Sequence, residues 1–256
     1  MLAGLEARRD RFTYHFENPS SVDTPFPVPH FFEQTYNADN LWLIGHVRYT
    51  AAGQRWETSG GVTPSRASTG DDYDTFFDPD GTTIVSGTTG GISIQSWRIG
   101  QLAELARRGP ASFAAGYRLR VDRSDFQLGH KTVTRNAVLV EVTDVTTRET
   151  TSSQLHEVLT RFSFAVPLGS SWGLTIDADI APIAVGRLLV QLPDKYPGQD
   201  LVFLAKVGTA TSRLTFARRS DTWSFAFVVD AGGTWSYQSS ASLERPVAGF
   251  GILLTR

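Results

Sequence analysis

Residues 222–237, TWSFAFVVDAGGTWSY, alternate with period two over sixteen positions, and this run constrains the fold more than any other segment. One face carries Trp223, Phe225, Phe227, Val229, Ala231, Gly233, Trp235 and Tyr237; the other carries Thr222, Ser224, Ala226, Val228, Asp230, Gly232, Thr234 and Ser236. The twelve steps from Trp223 to Trp235 span roughly 40 Å at about 3.3 Å per residue. Tilted by about 45°, such a strand rises roughly 28 Å, close to the ~25 Å apolar band between the aromatic girdles of a bilayer-spanning barrel. Strands in ordinary sandwiches average only about 5–6 residues.

Other segments repeat the pattern. Phe113, Ala115, Tyr117, Leu119 and Val121 oppose Arg118, Arg120 and Asp122; Trp172, Leu174, Ile176, Ala178 and Ile180 oppose Thr175, Asp177 and Asp179. Phe12, Tyr14 and Phe16 share a face, opposite Arg11, Thr13, His15 and Glu17. In residues 41–50, Leu41, Leu43, Gly45, Val47 and Tyr49 oppose His46 and Arg48, but also Trp42 and Ile44. The faces of residues 201–218 are indistinct, and only residues 96–108 come near a helical period. The 23 Gly, 16 Phe, 7 Tyr and 6 Trp suit strands and turns.

With no Cys, disulfides, thiolate chemistry and Cys-based zinc sites are excluded. A net charge of −2 without a long basic run argues against nucleic acid as a partner. No apolar run is long enough for a transmembrane helix. Residues 1–10 lack a signal-peptide core, so an exported protein is expected here in mature or truncated form.

Short links carrying turn residues fall at 51–54, 107–111, 167–171 and 218–222. Longer, mainly polar links fall between them, at about 18–40, 64–90, 123–153, 182–200 and 238–244. That alternation gives ten strands with both termini on the short-turn side. Residues 137–142 (AVLVEV) are strand-like within a long link, and either prolong a hairpin above the membrane or alter the count.

This pattern resembles a Gram-negative outer-membrane β-barrel over nearly the whole chain. Gly249, Ile252 and Leu254 sit where that family's C-terminal assembly signal has a glycine and spaced apolar residues, although the chain ends in Arg256 rather than an aromatic. The resemblance implies a lipid bilayer and the barrel assembly machinery as partners. In strand count, though not in motif, the chain is similar to omptins, the outer-membrane aspartyl proteases. The expected fold is all-β: a single closed antiparallel up-and-down barrel over residues 1–256, with short turns at one end and long loops at the other.

Inward Arg48, Arg118, Arg120, Asp177, Asp179 and Asp230 would be costly in a dry core, but a narrow polar lumen can hold them as a salt-bridged filling. Omptin-like hydrolysis needs two carboxylates and an Asp–His pair near the external rim. The candidates are Asp72 and Asp74 in a loop, Asp177 and Asp179 near an external strand end, and His156. No Asp-x-His sequence occurs. Asp71, Asp74, Asp78 and Asp80 in GDDYDTFFDPDG (residues 70–81) could offer oxygens to Ca²⁺, but the EF-hand spacing fails, and a solvated acidic loop with an Asp-Gly turn competes. The run GSSWG at 169–173 matches Gly-x-Ser-x-Gly by letter, yet a strand rather than a helix follows. No cofactor is expected.

The reading is therefore a non-enzymatic outer-membrane barrel with a filled polar lumen and external loops for contact with an unidentified ligand or partner. A rim-sited hydrolase and a soluble small-ligand barrel are the alternatives.

Overall fold

The computed structural model describes residues 2–18, 30–64, 66–77, 80–194, 197–198, 200–220, 223–237 and 242–255. Eleven strands are found among them: β1 (Leu2–Asn18), β2 (His30–Ala51), β3 (Gln54–Val62), β4 (Arg66–Phe77), β5 (Thr83–Arg108), β6 (Ala111–Arg135), β7 (Val138–Leu168), β8 (Trp172–Gln191), β9 (Asp200–Arg219), β10 (Ser224–Ser236) and β11 (Ser242–Thr255). Each pairs antiparallel with its neighbours, and β1 closes the ring against β11 from Gly4↔Thr255 to Glu17↔Ser242. β3 and β4 share one place between β2 and β5, so the wall is a ring of ten strands.

The β3/β4 break falls at Pro64, which has no N–H to give a ladder. Thr63 repairs it from the side: its N–H donates to Ser96 O at 2.8 Å, and its hydroxyl accepts from Ser96 N at 3.0 Å.

The alternation read from the sequence holds where side chains are described. On β10, Trp223, Phe225, Phe227 and Val229 face outward, whereas Ala226, Val228 and Asp230 are buried in the lumen. On β8, Trp172, Ile176 and Ile180 face outward and Asp179 inward. The outward apolar residues form a belt, with Trp172 stacked on Phe216 (centroids 4.7 Å) at its inner edge and Trp235 against Tyr237 at its outer edge. The side chains of Phe12, Tyr14 and Phe16 lie outside the described residues.

The three fully described short turns, at 51–54, 107–111 and 167–171, fall at the expected places. Ala52 and Gly53 both have positive φ (52° and 77°), as a two-residue type I′ hairpin requires.

The long links depart from expectation, because much of their length is strand. β6 and β7 run on to a type I′ turn at Asn136 and Ala137 (φ 48° and 64°), so residues 138–142 prolong a hairpin and the count of ten stands. The 31 residues of β7 extend roughly 100 Å at about 3.3 Å each, far more than a ~25 Å band needs even when tilted. Above the belt both faces of the wall can meet water, so polar Thr-rich strands persist there without apolar alternation. The acidic stretch is likewise strand rather than loop. β4 is held by β2 on one side and β5 on the other. The helix-like residues 96–108 are the inner part of β5.

Candidate functional site

Midway down the lumen, polar and charged side chains from six strands interlock. Arg118 (β6) forks onto Glu157 (β7) at 2.5 and 2.9 Å and reaches Asp179 (β8) at 3.3 Å. Arg161 (β7) forks onto Asp179 at 2.6 and 2.9 Å and donates across the lumen to Glu57 (β3) at 2.7 Å. Glu57 also accepts from Arg48 (β2) at 2.7 Å, and Thr209 (β9) donates to Glu157 at 2.5 Å. Nearby, Glu6 (β1) lies 2.5 Å from an Arg213 nitrogen and 3.0 Å from His46 Nε2. A third group joins Arg245 (β11) to Asp122 (β6) at 3.0 Å, with Ser96 and Arg120 on the same carboxylate. Each charge meets an opposite charge with short hydrogen bonds, the condition under which ions are tolerated away from water. A cavity of about 110 Å³ remains within this zone.

Trp42 and Ile44, which break the polar pattern of β2, are fully buried inside the ring. Arg98 and Arg120 each place a guanidinium 5.2 Å from the Trp42 ring centroid, so the indole face serves as a partner for cations.

The outer half of the lumen holds an apolar cluster. Ile92 and Ile94 (β5), Phe126 and Leu128 (β6), Leu155 (β7), Ala184, Leu188 and Val190 (β8), Leu192, and Ala205 and Val207 (β9) pack as one cluster. Level with it, Gln34 (β2) donates across the lumen to Glu149 (β7), the cross-strand partner of Phe126, at 2.9 Å and accepts from Thr151 at 3.4 Å. The interior is thus a protein-like core over an ion-pair layer.

The rim candidates are not gathered. β8 climbs from the inner turn at 169–171, so Asp177 and Asp179 stand near the inner end of their strand, opposite to the expected external position. Asp179 serves the ion-pair layer, and Asp177 accepts from Ser163 at 2.5 Å. Asp72 lies on the outer strand β4, buried, and Asp74 shares its face. His156 projects outward from the barrel, where its Nδ1 is 2.6 Å from the Tyr117 hydroxyl. Strand geometry also disperses the acidic stretch: Asp71 and Asp74 fall on opposite faces of β4. Asp80 sits in a turn where its carboxylate accepts from Thr82 N at 2.8 Å, which holds it below the usual carboxylate range. Asp78 lies outside the described residues. Among the described residues no group of three His, Asp or Glu could hold a metal ion.

Sequence reasoning missed Glu57, Arg161 and Arg213. The signal was the inward face of β7, where Glu149, Thr151, Ser153, Leu155, Glu157, Leu159, Arg161 and Ser163 alternate with outward residues.

At the outer end the β6–β7 hairpin overtops its neighbour. β8 accompanies β7 only up to Thr150↔Gln191, and Arg148 N then donates to Asp194 at 2.9 Å. Beyond that, residues 138–147 of β7 pair with β6 alone among the described residues. Val138, Leu139, Val140 and Val142 are each more than half exposed there. Arg148 clamps the hairpin stem by forking onto Asp125, with Nε at 2.8 Å, and this hydrogen bond holds the Asp125 carboxyl below its ordinary range.

A closed antiparallel ring with a lipid-facing apolar belt, aromatic edges and a polar-to-apolar filled interior defines a bilayer-spanning β-barrel. Its fold is that of the Gram-negative outer-membrane β-barrels. The outer membrane protease OmpT from Escherichia coli superposes with a TM-score of 0.68 over 99% of this chain and 95% of that one, at 6% sequence identity. The transport unit of the autotransporter AIDA-I from Escherichia coli covers 96% of this chain and 89% of its own, with a TM-score of 0.36 and 8% identity. No protein-family profile matches the chain, and no curated protein does. At such identities the likeness concerns the fold alone.

Proposed function

We propose that this chain is a non-enzymatic, non-conducting outer-membrane barrel that presents its outer hairpins, above all β6–β7, as a contact surface for another molecule. The observation that carries the reading is the hairpin end: a β7 edge at 138–147 that pairs with β6 alone among the described residues, flanked by exposed Val138, Leu139, Val140 and Val142. An unpaired strand edge with apolar side chains is a template for an added strand, and proteins normally shield such edges. The packed middle and outer lumen supports the non-conducting part, and the scattering of Asp72, Asp74, Asp177, Asp179 and His156 speaks against the rim-sited hydrolase. The outward apolar belt speaks against a soluble barrel. Assembly by the barrel machinery is part of the proposal; it draws on Ile252 and Leu254, which face outward on the last strand.

A photo-crosslinking residue at Val140, with the protein in its native envelope, tests the contact. A discrete adduct, lost when the crosslinker sits instead at inner-turn Gly109, is the expected outcome. Adducts absent at both positions would sink the contact role. Planar-bilayer recordings test the other half, where stable open-channel currents would overturn it.

A further inference from the structure

The inner third of the lumen is wider than the packed zones further out, and the reason is side-chain size. Below the ion-pair layer one side of the wall is lined by small residues, Ser112 and Ala114 on β6, Ser163 and Ala165 on β7, and Thr175 on β8, and these face Arg48, Arg55, Leu102, Glu104 and Arg107. The space they leave is a cavity of about 510 Å³, within the range of about 300–1,000 Å³ that small-molecule pockets occupy. A second hollow of about 410 Å³ continues it under β9–β11 and shares Arg48, Glu57, Arg161, Thr175 and Asp177.

Two cations at this mouth are under-used. Among the described residues Arg48 gives only its Nε to Glu57, and its side chain is 65% exposed. Arg55 approaches a carboxylate, Glu104, only at 3.7 Å, beyond hydrogen-bond length, and is 63% exposed. The carboxylates nearby have other partners too: Glu57 is shared between Arg48 and Arg161, Glu104 is held by Arg107 at 2.6 and 3.0 Å, and Asp177 by Ser163. In the register Arg48↔Glu57 and Thr50↔Arg55, the two arginines are diagonal neighbours on the inner face of β2 and β3. Diagonal positions lie about 7–8 Å apart, within reach of long side chains converging on one ligand. Guanidinium forks match phosphate geometry.

We infer that the inner vestibule is a binding site for a small soluble polyanion carrying clustered phosphate groups, bridged by Arg48 and Arg55 and drawn from the compartment at the short-turn end. Its ceiling is the Arg161–Glu57–Asp179 layer, so the ligand enters and leaves by one mouth. This role is independent of the outer hairpin.

Tripolyphosphate is the probe, titrated calorimetrically into the protein in phosphatidylcholine nanodiscs. Saturable binding that weakens with added salt is expected. Arg48→Gln with Arg55→Gln should weaken it by about tenfold or more. Ala114→Trp, which fills the cavity and leaves both arginines in place, should also abolish it. Lys131→Gln with Arg135→Gln, at the far end of β6, should leave it unchanged. Heat-modifiable gel migration checks that each variant is folded. The inference is overturned by the absence of saturable binding, by equal affinity in the Arg48/Arg55 variant, or by loss of affinity in the Lys131/Arg135 variant. Nanodiscs of phosphatidylglycerol separate the two phosphate sources: unchanged affinity supports a soluble ligand, whereas its elimination would assign the forks to a lipid headgroup and overturn the proposal.

Discussion

Replacing Arg161 with Met tests whether the lumen is held by its ion-pair layer. Arg161 makes three short hydrogen bonds, two to Asp179 and one to Glu57, with its side chain 19% exposed. Removing one partner of a buried pair costs about 3–5 kcal/mol, because the remaining charge is stranded. Here neither carboxylate is left alone: Glu57 keeps Arg48 at 2.7 Å, and Asp179 keeps Arg118 at 3.3 Å. The loss should therefore sit at the lower end, about 3 kcal/mol. Removing both partners (Arg161→Met with Asp179→Leu) takes away the Asp179 carboxylate, left with only the 3.3 Å contact to Arg118, and should recover about 2 kcal/mol of that loss. Urea unfolding of the detergent-refolded protein, followed by tryptophan fluorescence, measures both variants. The reasoning fails if R161M costs less than about 1 kcal/mol, or if the double variant is as unstable as the two single losses added together.

Three further outcomes are expected. Ala137→Gly should stabilise the β6–β7 tip by about 1 kcal/mol, since Ala137 holds a φ of 64° that disfavours a Cβ; slower proteolysis at the tip is the readout. Gly208→Val should destabilise the barrel by about 1–3 kcal/mol, because a Cβ there would lie 2.4 Å from the Trp235 ring; adding Trp235→Ala should restore most of the loss in the same urea assay. Because Arg148 lowers the native pKa of Asp125, the stem clamp is complete above the ordinary carboxylate value and is lost as pH falls through the lowered native one. Amide exchange in residues 123–127 and 147–151 should rise over that acidic window, and Asp125→Asn should remove the pH dependence.

How much of this was legible depended on what each strand faces. Inside the bilayer the two faces of a strand meet different media, so β6, β8 and β10 advertise themselves by alternation. Above the belt that contrast fades, and the outer reaches of β4, β6 and β7 read as loops although they are strands. β9 hid its register for another reason: its outward Gly208 is covered by Trp235, so a lipid-facing position carries no apolar side chain. The inward charges were foreseen as a filling, but their pairing was not, since Arg161 and Glu57 are 104 residues apart in sequence. The error over Asp177 and Asp179 was one of direction: alternation gives a strand its faces but not its ends.

The apolar cluster in the outer lumen draws its members from β5, β6, β7, β8 and β9, or from directly beside them, and these strands are consecutive in the chain. That half of the wall can collapse on itself as soon as its strands are made, as a sheet curled around its own oil drop, with no help from lipid. Strands β1, β2, β10 and β11 contribute no fully buried member to the drop. The β1–β11 seam, which joins the two ends of the chain, is then the natural last stitch, and slow folding should report on that closure rather than on the making of the core.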